Sequence, residues 1–409
     1  MKLPVAFILF TVMLDAMGIG LIVPVMPDLI QEVRGGNIGS AALWGGVLST
    51  IFALMQFLFG PVIGALSDRF GRRPVLLISL VVMAADYLVM AVAGSIWLLL
   101  AGRVVGGITA ATQSTANAYM ADISEPAQKA ANFGLIGAAF GMGFVFGPLI
   151  GGVLAEYGTR APFYAAAGLA ALNAVFGYFV LKETVDDRIR RPFEWRRANP
   201  FGLFKYLARL PGLGPLLVVF FIYQVAFTVY PAIWSFYTLE RFDWSPGMRG
   251  LSLGLFGISM AIVPGGLIRP ILRLIGERGS VIYGHIADVG VFLLIGFTSS
   301  GFWLLMLTPL AALPAVITPA LQGIMSKAVD DNQQGELQGA LTSVSALAMI
   351  ISPMIMTYVF YAFTEPGAPV YMPGASFYLS AILMAVSLMV FLRVGKIAVS
   401  RDVTGDQRP

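Results

Sequence analysis

Apolar runs of about 20 residues recur along the whole chain, and a run of that length is what an α-helix needs to cross a hydrocarbon layer of about 30 Å. Twelve are counted, at 5–29, 43–66, 75–95, 97–121, 132–155, 162–181, 215–239, 250–272, 281–299, 302–325, 338–362 and 375–394. In lipid every backbone N–H and C=O must be satisfied internally, so runs of this kind are expected to be helices. Composition agrees: 58% of residues are hydrophobic, 12% are charged and the mean hydropathy is +0.82, which excludes an ordinary soluble domain. Many runs carry internal Gly and Pro, as at Gly64, Gly147-Pro148 and Ser352-Pro353. Bilayer helices tolerate these when neighbours satisfy the freed backbone groups, and the pattern suits a packed, movable bundle.

Basic residues set the orientation. With the N-terminus cytoplasmic, inner loops and tails hold 21 of the 26 Lys and Arg, among them Arg69, Arg72, Arg73, Lys129, Arg190, Arg191, Arg273, Arg278 and Lys327. The outer loops hold Arg34, Arg160, Arg241 and Arg249, and Arg103 lies inside a span. A multi-pass inner-membrane protein with an even number of spans and both termini cytoplasmic is expected. Met1 and Lys2 precede a full-length apolar span in place of a short secretory signal, so the first span is expected to be retained. The net charge of +4 is accounted for by the inner loops and calls for no nucleic-acid partner. With no cysteine and one histidine, neither disulfides nor a metal site is expected.

The stretch 183–214, rich in Arg, Asp and Pro, is the one long polar interruption, and it divides the spans six and six. The expected organisation is an N-terminal six-helix half at 1–182, a cytoplasmic linker at 183–214, a C-terminal six-helix half at 215–395 and a cytoplasmic tail at 396–409. Within the linker, Phe201 to Arg209 reads either as an amphipathic helix on the inner membrane face or as solvated chain. A shift of 205 residues sets Gly71 on Gly276, Arg73 on Arg278, Pro148 on Pro353 and Asn117 on Gln322, as duplicated halves with a substrate site between them would give. The fold expected is an all-α integral membrane protein of twelve transmembrane helices in two pseudo-symmetric six-helix halves.

Four patterns carry chemistry. In the loop Gly64 to Pro74, a carboxylate and three guanidinium groups meet at a helix end. Asp68 is expected to accept helix N-terminal N–H groups and Arg72 to pair with Asp122, forming a gating cluster. The corresponding loop, Arg269 to Gly279, keeps Gly276 and Arg278 but has Arg273 where the first half has Asp68. In the fifth span, Gly143, Gly147-Pro148, Gly151 and Gly152, with Gly134 upstream, predict a bent helix whose side-chain-free stripe lets a neighbour rock against it, or else plain small-residue packing. Finally, Asp15, Asp86, Arg103 and Asp288 lie inside spans, with His285 one turn before Asp288. An unpaired charge at mid-membrane costs at least about 2.5–3.5 kcal/mol, which marks these as proton-coupling candidates with Asp288 first. His285 either shares a proton with Asp288 or is a hydrogen-bonded packing residue, and Asp15 and Arg103 are either functional or a structural pair. Arg103, Ala110 and Asn117 share a helical face, with Gln113 one turn from Asn117, and predict a cavity lining. In the seventh span Tyr223, Phe227, Tyr230 and Trp234 recur at helical spacing beside Gln224, suiting either a flat amphipathic ligand or packing, with Trp234 also read as an interfacial anchor.

The Gly64 to Pro74 loop resembles the signature of the major facilitator superfamily, and the fifth-span glycines resemble the motif of its antiporter members. Adding Leu14 to Pro24, Asp86-Tyr87, Gly102-Arg103, Ile286 to Asp288 and Pro319 to Gly323, nearly the whole chain resembles the tetracycline/proton antiporters. That resemblance implies the major facilitator fold and a monomeric transporter rather than an enzyme. Asp15, Asp86, Arg103 and Asp288 would be its essential embedded charges, Asp68, Arg72 and Asp122 its gate, and Gln56 and Gln322 would sit near the ligand. The substrate implied is a tetracycline chelated to a divalent cation such as magnesium, exchanged for a proton, with no bound cofactor. One departure stands out: that family carries a histidine in helix 8, where this chain has Met260, and its single histidine lies in helix 9. The function expected is proton-coupled efflux of a small amphipathic drug by alternating access, with transport of a native metabolite such as a sugar or amino acid derivative as the alternative.

Overall fold

The computed structural model describes residues 3–110, 112–125, 128–185, 199–203, 212–330 and 333–404. Eleven helices among them are long and apolar enough to cross a membrane. They are α1 (Leu3–Arg34), α2 (Ile38–Phe70), α3 (Arg72–Val92), α4 (Ile96–Ile123), α5 (Lys129–Ala155), α6 (Ala161–Val180), α7 (Gly214–Phe242), α10 (Gly301–Lys327), α11 (Gln334–Thr364), α12 (Ala375–Thr404) and the continuous run Ile268–Phe297. That run leaves helical geometry at Gly276 (φ 67°, ψ 176°), which separates the end of α8 from α9 at 277–297. α8 therefore starts at Pro246, passes a π turn at Val263–Leu267 and ends at 275, giving twelve spans among the described residues. The all-α, twelve-helix class read from hydropathy holds.

The 205-residue repeat is visible in the backbone. Gly71, between α2 and α3, has φ 111° and ψ 153°, and Gly276 repeats that left-handed, extended conformation between α8 and α9. A side chain with Cβ is strained in that region, so glycine ends both helices sharply. Pro148 and Pro353 lie inside α5 and α11 at the same offset.

By packing, the chain forms two compact units, Met1–Pro200 with Trp234–Ile258, and Phe201–Ile233 with Ser259–Pro409. Unit 1 is centred on Phe7, Ile8, Val12, Leu76, Tyr119 and Met120, and unit 2 on Phe220, Val281, Leu321, Met325, Leu337 and Leu341. Large apolar residues such as Ile78, Trp97, Phe179 and Phe297 are exposed, as surfaces wetted by lipid rather than water require. The glycine stripe of α5 packs on α1: a Cβ at Gly147 would lie 2.6 Å from the Met17 carbonyl oxygen, and Gly143 and Gly151 abut the Met13 and Leu21 carbonyls one turn either side. Gly134, grouped with that stripe in the sequence, faces open space instead. Most of 183–214, including Lys205 to Arg209 of the expected amphipathic segment, lies outside the described residues, and α12 runs on to Thr404, into the stretch read as a tail.

Candidate functional site

Every third helix is interrupted. α1 has a 3-10 turn at Val23–Val25, α4 turns at Ala110, α7 breaks at Thr228, and α10 passes through a 3-10 segment at Leu310–Val316. Pro24, Pro231 and Pro314 explain three of these breaks, since none of them can donate an N–H. Asp15, Arg103, Asn117, Tyr223, Gln224, Phe227, Tyr230 and Gln322 all lie on these four helices, the kind that build substrate sites in transporters.

In unit 1, Arg103 Nη2 donates to Asp86 Oδ2 at 2.7 Å, and its guanidinium lies 5.1 Å from the centre of the Phe52 ring. Of the two readings of Asp15 and Arg103, the structural pair is not formed: Asp86, on α3, bonds Arg103 instead. Glycines make the pair possible, because a Cβ on Gly102 or Gly106 would sit 2.7 and 2.5 Å from the two Asp86 carboxylate oxygens. Asp15 keeps a buried Oδ1 with no hydrogen-bond partner. Gln56 is exposed and reaches the Ala110 carbonyl at 3.4 Å, at the turn in α4. Asn117 is half-buried, and the Gln113 side chain lies outside the described residues.

The charge cluster expected at this loop assembles around Arg72, which meets Asp68 at 2.5 Å, the Ser67 hydroxyl at 2.6 Å and Asp122 at 3.3 Å. Asp68 is engaged by this ion pair and does not receive the N–H groups that begin α3. Those of Arg72 and Arg73 donate to Glu183, at 2.9 and 3.3 Å, and the same carboxylate fills the space beside Gly71. Sequence reasoning missed Glu183 because only its position directly after the sixth span, with no motif, marks it.

The repeat also carries the cluster into unit 2 with its charges inverted. At 205 residues Asp68 becomes Arg273, Arg72 becomes Glu277 and Asp122 becomes Lys327, and Lys327 Nζ meets Glu277 Oε1 at 2.7 Å just as Arg72 meets Asp122. Lys327 is 73% exposed, so the pair contributes at most about 1 kcal/mol to stability. Glu277→Lys is expected to slow transport, and adding Lys327→Glu to restore it; failure of the double exchange to recover the rate would leave the pair with no part in gating.

In unit 2, Asp288 is fully buried, and neither carboxylate oxygen has a hydrogen-bond partner. His285, one turn away, does not supply one: its Nδ1 meets the Val281 carbonyl at 2.8 Å and its Nε2 the Ser387 hydroxyl at 2.9 Å. Of the two sequence readings, this geometry is the hydrogen-bonded packing histidine. Tyr223 stacks on Phe227 at 5.9 Å, lies 6.3 Å from the imidazole and takes a hydrogen bond from Thr318 at 3.3 Å. Tyr230 is buried against Phe292 and Phe377, Gln224 donates to Ser345 at 3.2 Å, and Gln322 is half-buried. Trp234 belongs to unit 1 instead, buried with its indole N–H donating to Ser252 at 2.9 Å, which removes it from the ligand stripe and from the interfacial belt. Gly147 and Pro148 serve the α1–α5 contact described above.

Comparison with known proteins supplies the context. The sequence profile of the Major Facilitator Superfamily matches residues 8–307. The class C tetracycline resistance protein of Escherichia coli is 43% identical over 355 residues, covering 87% of this chain and 89% of that protein. The class B protein of the same organism is 35% identical, covering 92% and 94%. Among solved structures, the human organic anion transporter MFSD10 (TETRAN) superposes with a TM-score of 0.67 at 27% identity, covering 95% of this chain and 99% of that one. A bacterial Spinster homologue in an inward-facing, unoccupied conformation has the same fold, with a TM-score of 0.76 at 16% identity and 96% coverage of both chains.

Proposed function

The chain belongs to the major facilitator superfamily, and on that premise we propose that it exports a small amphipathic drug of tetracycline-like chemistry in exchange for protons, by alternating access. It is a multi-pass membrane transporter and not an enzyme. The carrying observation is Asp288, a carboxyl group sealed in a helix bundle with no partner for either oxygen. Burying an ionised carboxylate in that way is prohibitive, whereas a proton neutralises it and leaves again when water reaches the site. Asp288 is the coupling site in this reading, and Asp15 is a second carboxyl of the same kind in unit 1. The Asp86–Arg103 pair holds α3 to α4 beside it. Phe227, Gln224 and Gln322 are the substrate contacts of unit 2 in this reading, and Asn117 and Gln56 are the candidates in unit 1. A divalent cation such as magnesium travels as part of the substrate. Both termini lie in the cytoplasm, which the distribution of basic residues supports, and the working unit is a monomer in the inner membrane.

A second reading, a native organic anion as substrate, is favoured by the likeness to the human organic anion transporter. Reconstitution in liposomes with an imposed pH gradient separates the two. Gradient-driven uptake of a tetracycline, strengthened by magnesium, is expected, and movement of organic anions alone would transfer the assignment. No proton-linked movement of any compound in the panel would remove the antiporter.

A further inference from the structure

Residues 234–258 are joined to unit 2 at both ends, yet they pack within unit 1. Polar contacts and a close backbone approach hold them there. Arg249, read from the sequence as an outer-loop residue, sits in the first turns of α8 with 0% exposure and donates from Nη2 to Asp28 Oδ2 at 2.5 Å. Its Nε and Nη1 have no hydrogen-bond partner, so Asp28, 29% exposed at the end of α1, is the group that compensates the buried charge. Glu156, directly after α5, accepts the Gly247 N–H at 2.9 Å and thereby satisfies an otherwise orphan donor at the start of α8. Beside it the two helices touch through glycine: a Cβ on Gly152 would lie 3.0 Å from Gly250 Cα, and Leu149 fills the space beside Gly254. In chain order this end of the bundle, at the α1–α2 loop, is opposite the α2–α3 loop that carries Asp68 and Arg72.

We propose that Asp28, Arg249 and Glu156 form a releasable latch at this second end, and that segment 234–258 leaves unit 1 once in each transport cycle. The proposal rests on the alternating-access reading above: a segment covalently continuous with unit 2 must give up its unit 1 contacts when this end opens. The three side chains are positioning residues. Their contacts run between helix ends, and the ion pair loses its compensation the moment α8 moves from α1. Glu156 keeps its charge throughout the working range, because the Gly247 N–H, the Ser245 hydroxyl and the Arg249 charge together hold its carboxyl below the usual glutamate range. A depressed value means the contact is complete above the ordinary range and is lost only as pH falls beneath it. Closure at this end is therefore expected to be flat from about pH 5 to 8.

The chain contains no cysteine, which makes the test direct. A single Leu149→Cys, packed beside Gly254 when the latch is closed, is labelled in intact cells with a membrane-impermeant maleimide added outside; no drug is needed. Asp28→Asn strands the Arg249 charge and is expected to raise the labelling rate by about tenfold or more, and Asp28→Asn with Arg249→Leu to return it toward the parent rate. Glu156 is exposed, so Glu156→Ala folds independently of any buried charge and is expected to raise the rate by a smaller factor. Unchanged rates in Asp28→Asn and Glu156→Ala overturn the latch. A second arm, Leu149→Cys with Gly254→Cys, places two Cβ atoms at disulfide range, and oxidation is expected to stop transport until a reductant is added. Complete cross-linking with undiminished transport overturns the release step. Lack of drug movement in the unmodified protein would strike the substrate assignment and leave the labelling result standing.

Discussion

Arg103→Ala is expected to lower the stability of the protein by about 3–5 kcal/mol, the cost of stranding one member of a buried ion pair. Asp86 is the member stranded. It is buried, its Oδ2 is bonded to Arg103 Nη2, and its Oδ1 has no hydrogen-bond partner even with the arginine present. Gly102 and Gly106 leave room for the carboxylate but offer it no donor. At about 2–4 °C per kcal/mol for a unit of this size, the midpoint of thermal unfolding should fall by on the order of 10 °C. Removing both charges, with Asp86→Asn and Arg103→Met, should recover most of that loss, because an uncharged pair leaves nothing to compensate. Transport is expected to stay abolished in the double variant if the pair works in the cycle rather than only in the fold. A single Arg103→Ala variant that unfolds within about 2 °C of the parent would show that water already reaches Asp86.

The span count was legible because the bilayer imposes one length and one hydropathy on every crossing, and that signal survives in any window. Helix interruptions were not legible in the same way. Ser352-Pro353 lies inside an unbroken α11, whereas Pro231 accompanies a break of α7 at Thr228. In both places neighbouring helices decide whether backbone groups find partners, and hydropathy does not report on neighbours. Pairing was the weakest inference. Arg72 with Asp122 was found from their common place at helix ends, but of the partners open to Arg103 the sequence weighed Asp15 and not Asp86, since separation along the chain says nothing about which helices touch. Glu183, Ser387 and Asp28 act through contacts with distant elements and left no periodic trace. The inverted pair Glu277–Lys327 was present in the 205-residue offset all along. It was missed because identity was sought at each position, while an ion pair survives when both of its signs change together.

Asp288→Asn should separate coupling from folding more cleanly than any other substitution in unit 2. Asparagine has nearly the shape of aspartic acid, so the surroundings of residue 288 need not repack. The native carboxyl has no exposure and no hydrogen-bond partner, so removing its capacity for charge deletes a liability rather than a contact. Thermal stability is therefore expected to hold or to rise, by on the order of 1–2 kcal/mol. Uptake driven by a pH gradient is expected to fall to the level of empty liposomes. Exchange of labelled for unlabelled substrate at equal pH, which needs no net proton movement, is expected to persist. The neighbouring change Ser387→Ala supplies the contrast: it removes the partner of His285 Nε2 and leaves Asp288 untouched. On the proposed mechanism, in which Asp288 rather than the imidazole is the coupling group, it should slow the cycle without uncoupling it. Gradient-driven uptake that survives Asp288→Asn would move the coupling site to Asp15, whose buried Oδ1 is the corresponding unpaired atom in unit 1.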